Sequence, residues 1–301
     1  MINKRYGNLG NAQEVKALLL SGNTCSVPGT RIWIIGSLIA FGCFLSCFCS
    51  VAATAEDDLL NTGEDITRPL NRFDVRLQAK SLPDVTESGQ NFDNIHAETL
   101  TLRTDWVLSS KPDQLALRFD LPWVWSNKPN PKNTNGATQS DLGDLLSQAI
   151  YVHTFNGRWA AGTGMQVIAP TATNQNCGAG KWQLAPTVGV RASLPEITDG
   201  SYVGVVARQF ASVAGDTSRG NVNYTSIQPQ LNLQFPDVWF INISPNIRCE
   251  NDTGKWFVPL DLMLGKKFGK HCVASLEYQY GLITAYKQYI DWVEFRLGYF
   301  F

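Results

Sequence analysis

Three histidines, His96, His153 and His271, are the whole stock of imidazole in the sequence, so histidine-based chemistry must run through one of them. None stands beside a serine in a hydrolase-like motif: His153 is followed by Thr154 and His271 by Cys272. A triad assembles in space and not along the chain, so a hydrolase stays as a third reading, behind the expectation of no enzyme. Of the seven cysteines, only Cys177, Cys249 and Cys272 lie beyond residue 55, without metal-ligand spacing or a disulfide framework. Cys249 and Cys272 are two unpaired residues on strands in the preferred reading, and a bonded pair in the alternative. Gly178-Ala-Gly180-Lys181 invites a phosphate-loop reading, but Trp182 stands where Ser or Thr is needed and Gln175 where the first Gly is needed. No catalytic, metal or cofactor-binding residue is assigned, and no cofactor is expected. What recurs instead is charge on alternating segments: Arg103, Asp105, Arg118, Asp120, Arg191, Arg248, Glu277, Glu294 and Arg296. Such residues either line a conducting lumen and set its selectivity, or pair across a barrel interior and fill it.

The elements that position them are strands. From Tyr289 to Phe301 one face reads Val293, Phe295, Leu297, Tyr299 and Phe301, and the other Trp292, Glu294, Arg296, Gly298 and Phe300. That period of two marks a strand with one apolar face, whose open edge would aggregate unless paired. A soluble sandwich is the competing reading. Against it, Phe73, Val75, Leu77 and Ala79 oppose Asp74, Arg76 and Gln78; Leu100, Leu102, Trp106 and Leu108 oppose Thr99, Thr101, Arg103 and Asp105; Leu115 to Trp123 repeats the pattern against Arg118 and Asp120. Later, Leu231, Leu233 and Phe235 alternate with Gln230, Asn232 and Gln234. Asn and Gln are poor residues for a sandwich core, whereas a watery lumen accepts them and a lipid face must stay apolar. Twelve segments are predicted, with ten or fourteen the nearest alternatives, as one transmembrane antiparallel all-β barrel over residues 70–301. Asn156-Gly157 marks a hairpin between two segments of less regular alternation. Trp106, Trp123, Trp125, Trp159, Trp182, Trp239, Trp256 and Trp292 lie near strand ends, as interface girdles do.

Residues 1–55 read as an N-terminal extension and signal peptide: Arg31, an apolar run from Ile32 to Ala53, then Ala53-Thr54-Ala55 before Glu56-Asp57-Asp58. Cleavage is expected after Ala55, with an uncleaved anchor and a lipoprotein as the alternatives. Residues 56–69 are expected to be a polar periplasmic lead. The net charge is −1, with no basic cluster, so nucleic acid is not an expected partner.

From about Asp141 onward the sequence resembles the outer-membrane protein family named after the meta-pathway of phenol degradation. The residues that carry the resemblance are Asp141-Leu-Gly-Asp144, Pro170-Thr-Ala-Thr173, Gly178-Ala-Gly-Lys-Trp182 with Pro186, Gln228-Pro-Gln230, and Trp256-Phe-Val-Pro259 before Gly265-Lys266. Residues 56–140 share only the strand pattern. The resemblance implies an outer-membrane barrel that passes small, apolar or aromatic solutes. The expected partners are outer-membrane lipid, a small-molecule solute, and the barrel-assembly machinery through Tyr299 and Phe301. A closed structural or adhesive barrel is the rival function.

Overall fold

The computed structural model describes residues 60–109 and 111–301, so the expected leader and its cleavage site lie outside the described residues. Twelve barrel strands follow one another: β1 (Arg72–Ser81), β2 (His96–Val107), β3 (Asp113–Ser126), β4 (Leu145–Thr154), β5 (Trp159–Ala169), β6 (Lys181–Ser193), β7 (Tyr202–Gly215), β8 (Asn223–Gln234), β9 (Trp239–Ile243 continued by Ile247–Glu250), β10 (Trp256–Phe268), β11 (Cys272–Thr284) and β12 (Asp291–Phe300). Each pairs antiparallel with its successor, and β12 returns to β1 with Phe300 opposite Arg72 and Asp291 opposite Ser81. The sheet therefore closes, which leaves the apolar last strand no free edge. A short strand, Gln139–Leu142, pairs with the upper part of β3, and a small hairpin (Val85–Glu87 with Gln90–Phe92) sits between β1 and β2.

Register puts the apolar face outside, as the alternation predicts. Leu231 and Leu233 are half-exposed and Phe235 exposed, while Gln230, Asn232 and Gln234 are buried. Leu102, Leu115, Leu121, Leu260, Leu262 and Leu276 likewise stand on the surface. A one-residue slip would exchange the two sets on every strand, so a lipid-facing belt pins the register.

The ends of the barrel differ. Connections 108–112, 155–158, 194–201, 235–238 and 269–271, at the end holding Arg72 and Phe300, are short. Those at the other end include the long segments 82–95, 127–144 and 170–180. In outer-membrane barrels the short turns are periplasmic and the long loops extracellular. Gly157, at φ +71°, lets the chain reverse between β4 and β5, and the Asn156 side chain accepts from the Trp159 amide at 3.1 Å. Trp106, Trp159 and Trp239 ring the short-turn end of the outer surface, and Trp123, Trp125, Trp182 and Trp256 the long-loop end. Trp292 departs from the expected girdle: it shares the inward parity of Glu294, and its ring lies beneath Lys80, 5.7 Å from Nζ.

The described part of the lead has a definite place: residues 60–71 run inside the short-turn end of the barrel. Ile66 is buried in a cluster with Ala116, Ile150, Val152, Ala160 and Val206 from four strands of the wall. Gly189 makes room for it: a Cβ there would come within 3.2 Å of Ile66 Cδ1. The irregular alternation of β4 and β5 follows from this contact. Ile150, Val152 and Ala160 are apolar although they face inward, because they meet Ile66 and not water.

Candidate functional site: the barrel interior

All nine charged residues singled out from the sequence face the interior, and the structure divides them by what they meet. Along β12–β1–β2–β3 each arginine reaches a carboxylate, directly across or on the diagonal, even where Arg76 and Arg296 stand opposite one another. Arg296 Nε lies 3.1 Å from Asp74, Arg76 Nη1 2.8 Å from Glu294, Arg72 Nη2 2.8 Å from Asp105, Arg118 Nη2 2.8 Å from Asp105 and Arg103 Nη2 2.6 Å from Asp120. Arg103 holds Asp120 through both Nε and Nη2, and Arg118 grips Asp105 the same way, the bidentate geometry that gives the strongest ion pairs. Pairs along this wall are therefore matched, and Arg296, Asp74 and Arg72 are almost wholly buried.

The lead completes this wall. Arg296 also pairs with Glu64 and donates to the Thr62 carbonyl at 3.1 Å, while Arg72 donates to the Gly63 carbonyl. On the facing wall Arg191 Nε lies 3.0 Å from Asp65, whose other oxygen accepts from the Thr67 amide and hydroxyl. Gly63 needs its glycine: φ is +76°, and a Cβ would sit 2.6 Å from Arg72 Nη1 and 3.0 Å from Arg296 Nη2. A cavity of about 20 Å³, one water's worth, remains between the lead and the β3–β4 wall. The lead thus narrows the short-turn end, held by ion pairs on both sides.

Glu277 lies on β11 opposite Glu294 and close to Asp261 of β10. Gln279 Nε2 donates to Asp261 and to Glu277, each at 2.5 Å, and the Tyr289 hydroxyl donates to Gln279 Oε1.

Arg248 is in different company. Arg208 on β7 faces Ser226 on β8, and Ser226 faces Arg248 on β9, so two guanidinium groups flank one small residue at a single level of the wall. Arg208 Nη1 donates to Gln228 Oε1 at 3.1 Å, and Arg248 Nη1 to Gln288 Oε1 at 2.7 Å. Neither has a carboxylate within ion-pair distance among the described residues. Above them Tyr224 stacks on Phe210 at 4.5 Å, and the Arg248 guanidinium lies 5.5 Å from the Tyr224 ring.

The interior groups not singled out from the sequence are Arg72, Asp74, Arg76, Glu64, Asp65, Asp261 and Arg208. The first three carry a readable signal, since they hold the polar parity of β1. Arg208 is masked because Val206 and Phe210 share its inward face. Glu64 and Asp65 lie in a segment without period. The histidines are dispersed: His96 is 3.8 Å from Glu98, His153 2.6 Å from Asp113, and His271 bonds the Phe300 carbonyl at 2.7 Å. Among the described residues no serine hydroxyl is hydrogen-bonded to a histidine ring. Cys249 is a free thiol, so it does not pair with Cys272; Cys272 is itself disulfide-bonded, so the reading of both as unpaired holds for Cys249 alone.

The motif segments 141–144, 170–173 and 178–182 sit together at the long-loop end, whereas Gln228-Pro-Gln230 lies within β8 and Gly265-Lys266 near the short-turn end of β10. Asp141 accepts from the Thr173 hydroxyl at 2.6 Å and the Asn174 amide at 2.7 Å, and Asp144 from the Ala179 amide at 2.6 Å. A Cβ on Gly178 would lie 2.3 Å from Asp144 Oδ1. Arg219 Nη1 takes the Gly178 carbonyl at 2.8 Å, so the loop that mimics a phosphate cradle presents a carbonyl to a cation. These residues form a clasp between loops.

Residues 83–221 match the model of the family described as "Putative MetA-pathway of phenol degradation". The match starts upstream of Asp141 and ends before Gln228-Pro-Gln230 and Trp256-Phe-Val-Pro259, so its extent is shifted from the stretch the motifs suggest. An outer-membrane channel from Pseudomonas putida F1 is similar in structure, with a TM-score of 0.62 at 13% identity, covering 83% of this chain and 100% of that one. The NanC porin follows at TM-score 0.49 and 12% identity over 76% and 98% of the two chains. Outer membrane phospholipase A from Escherichia coli gives 0.42 and 10% over 81% and 97%. No curated protein matches the sequence. On these findings the chain resembles, through residues 83–221, the family described as a MetA-pathway of phenol degradation, and it is built as an outer-membrane-type β-barrel of twelve strands.

Proposed function

We propose that the protein sits in the bacterial outer membrane as a passive channel for small solutes, with the lead segment narrowing its periplasmic mouth. The observation that carries this reading is the contrast between the two ends of the interior. The short-turn end is filled by residues 60–71, whereas toward the loops Arg208, Arg248 and Gln228 remain half-exposed, as groups facing water do. A barrel that needed its interior only for strength would match every charge, as the β12–β1–β2–β3 wall does. Apolar or aromatic solutes are favoured by the family description alone. The outer belt of leucines meets lipid, and exposed Tyr299 and Phe301 are available to the assembly machinery.

Single-channel recording in planar bilayers, with liposome uptake of phenolic and sugar solutes, tests the reading. Small-conductance openings and uptake are expected, with charge reversal at Arg118 or Arg248 changing ion selectivity. A chain that inserts yet shows neither conductance nor uptake is a closed structural barrel.

A further inference from the structure

We infer that the row Arg208–Ser226–Arg248 in the wall of the lumen is a binding site for the carboxylate of a small organic anion, with the solute's apolar body against Tyr224, Phe210 and Tyr286. The inference deepens the channel reading by giving the solute a charge and a place, and it rests on that reading.

Four observations converge. The two arginines project from the strands on either side of β8 at the level of Ser226, whose small side chain is buried and turned to Asn246, its Oγ 2.5 Å from Asn246 Oδ1. Strands in a sheet lie about 4.8 Å apart, so the two arginine backbones stand roughly 10 Å apart across the gap. That spacing suits two long side chains converging on one small anion. Second, each guanidinium donates a hydrogen bond from Nη1 to a neutral amide, and each has a buried Nε without a partner. The Nε edge is the one through which arginine grips a carboxylate side-on, as Arg103 and Arg118 do a few strands away. Third, neither Arg208 nor Arg248 has a carboxylate within ion-pair distance among the described residues, and Glu250 on the Arg248 strand is engaged by Thr253. The potential at this level favours an anion. Fourth, an apolar surface adjoins the charge: Tyr224 stacks on Phe210 at 4.5 Å and lies 6.1 Å from Tyr286. An inorganic anion would use the arginines and ignore the rings.

The test uses the full chain folded in detergent and reads binding by calorimetry, with no transport required. The probes are benzoate, its neutral counterpart benzyl alcohol, and acetate, which has the head group without the ring. Benzoate is expected to bind, benzyl alcohol to give no measurable heat, and acetate to bind more weakly than benzoate. Arg208→Gln and Arg248→Gln should each weaken benzoate by roughly tenfold or more, the scale of a charge-assisted bond, and Arg208→Lys should recover part of the loss. Heat-modifiable mobility on gels verifies that each variant is folded, and the double variant Arg103→Met/Asp120→Leu, which removes a matched pair, should leave binding unchanged. Equal binding of benzoate and benzyl alcohol, or full affinity in both glutamine variants, overturns the site. Acetate binding as tightly as benzoate overturns the apolar part. Because binding is read apart from flux, a chain that binds benzoate but never conducts refutes the channel reading and keeps the site, and a conducting chain that binds nothing does the reverse.

Discussion

Two walls of one barrel handle buried arginine in opposite ways. On the β12–β1–β2–β3 side Arg296, Arg76, Arg72, Arg118 and Arg103 each meet at least one carboxylate. On the β7–β8–β9 side Arg208 and Arg248 meet amides. A matched pair neutralises itself, so it contributes to architecture and gives little field to the lumen. A cation solvated by amides keeps its field, and its loss leaves no opposite charge stranded. Charge in a lumen is therefore ambiguous until its partners are known.

The sharpest way to break this comparison is to remove one arginine from each wall. Arg296→Ala takes from buried Asp74 and Glu64 one of the two cations they share, leaving Arg76, and should lower the unfolding free energy by about 3 kcal/mol, the lower end of the cost of splitting a buried pair. Arg208→Ala strands no carboxylate and should cost less than about 1 kcal/mol, the scale of one amide hydrogen bond. Urea unfolding in lipid vesicles measures both. Equal losses would mean that the two walls do not differ in kind.

The lead belongs to the matched wall, and displacing it should open the mouth without unfolding the barrel. Gly63→Val puts a branched side chain at φ +76°, where a Cβ already collides with Arg72 and Arg296. Single-channel conductance should rise by roughly twofold or more, since the segment fills the periplasmic end of the lumen. Unchanged conductance in a folded variant would show that residues 60–71 do not limit the path. A smaller effect is expected from Arg248→Glu, which should move the potassium-to-chloride permeability ratio toward cations by roughly threefold. Removing the Arg103 and Asp120 pair together should leave that ratio nearly unaltered, because the pair carries no net charge. Reversal potentials in a salt gradient read both.

Much of this fold is legible in the sequence because a lipid-facing barrel imposes period two on every strand. Residues such as Leu231, Gln230 and Asn232 report their faces directly. Where the interior is not water the rule fails: Ile150, Val152 and Ala160 are inward yet apolar because they pack on Ile66, and a polar lead gives no hint that its one isoleucine has a socket. Arg208 is hidden for the same reason, between Val206 and Phe210. Partners are harder still to read than faces. Arg248 and Arg296 look alike as inward arginines on strands, and only the closed sheet shows that one meets Gln288 and the other Asp74.

The mildest expected effect lies outside the spanning strands, in the clasp that carries the family motifs. Asp141 gathers the Thr173 hydroxyl and the Asn174 amide onto one carboxylate oxygen, which ties segment 127–144 to segment 170–180. Those bonds, the Thr173 hydroxyl first, hold its acidity below the ordinary carboxylate range. A carboxyl with a lowered folded pKa stabilises above its unfolded value of 3.8 and loses that contribution as the pH falls through the folded value. The clasp should therefore stay shut at pH 5 and loosen only in stronger acid. Asp141→Ala removes it at every pH and should speed proteinase K cleavage of segment 127–144 at neutral pH by roughly threefold, as expected of a local opening. Conductance and benzoate binding should not change, since the motif holds loops together and touches neither wall of the lumen. If Asp141→Ala altered conductance as much as Gly63→Val does, the loops would be part of the path, and the contrast between the walls would no longer describe how solutes cross.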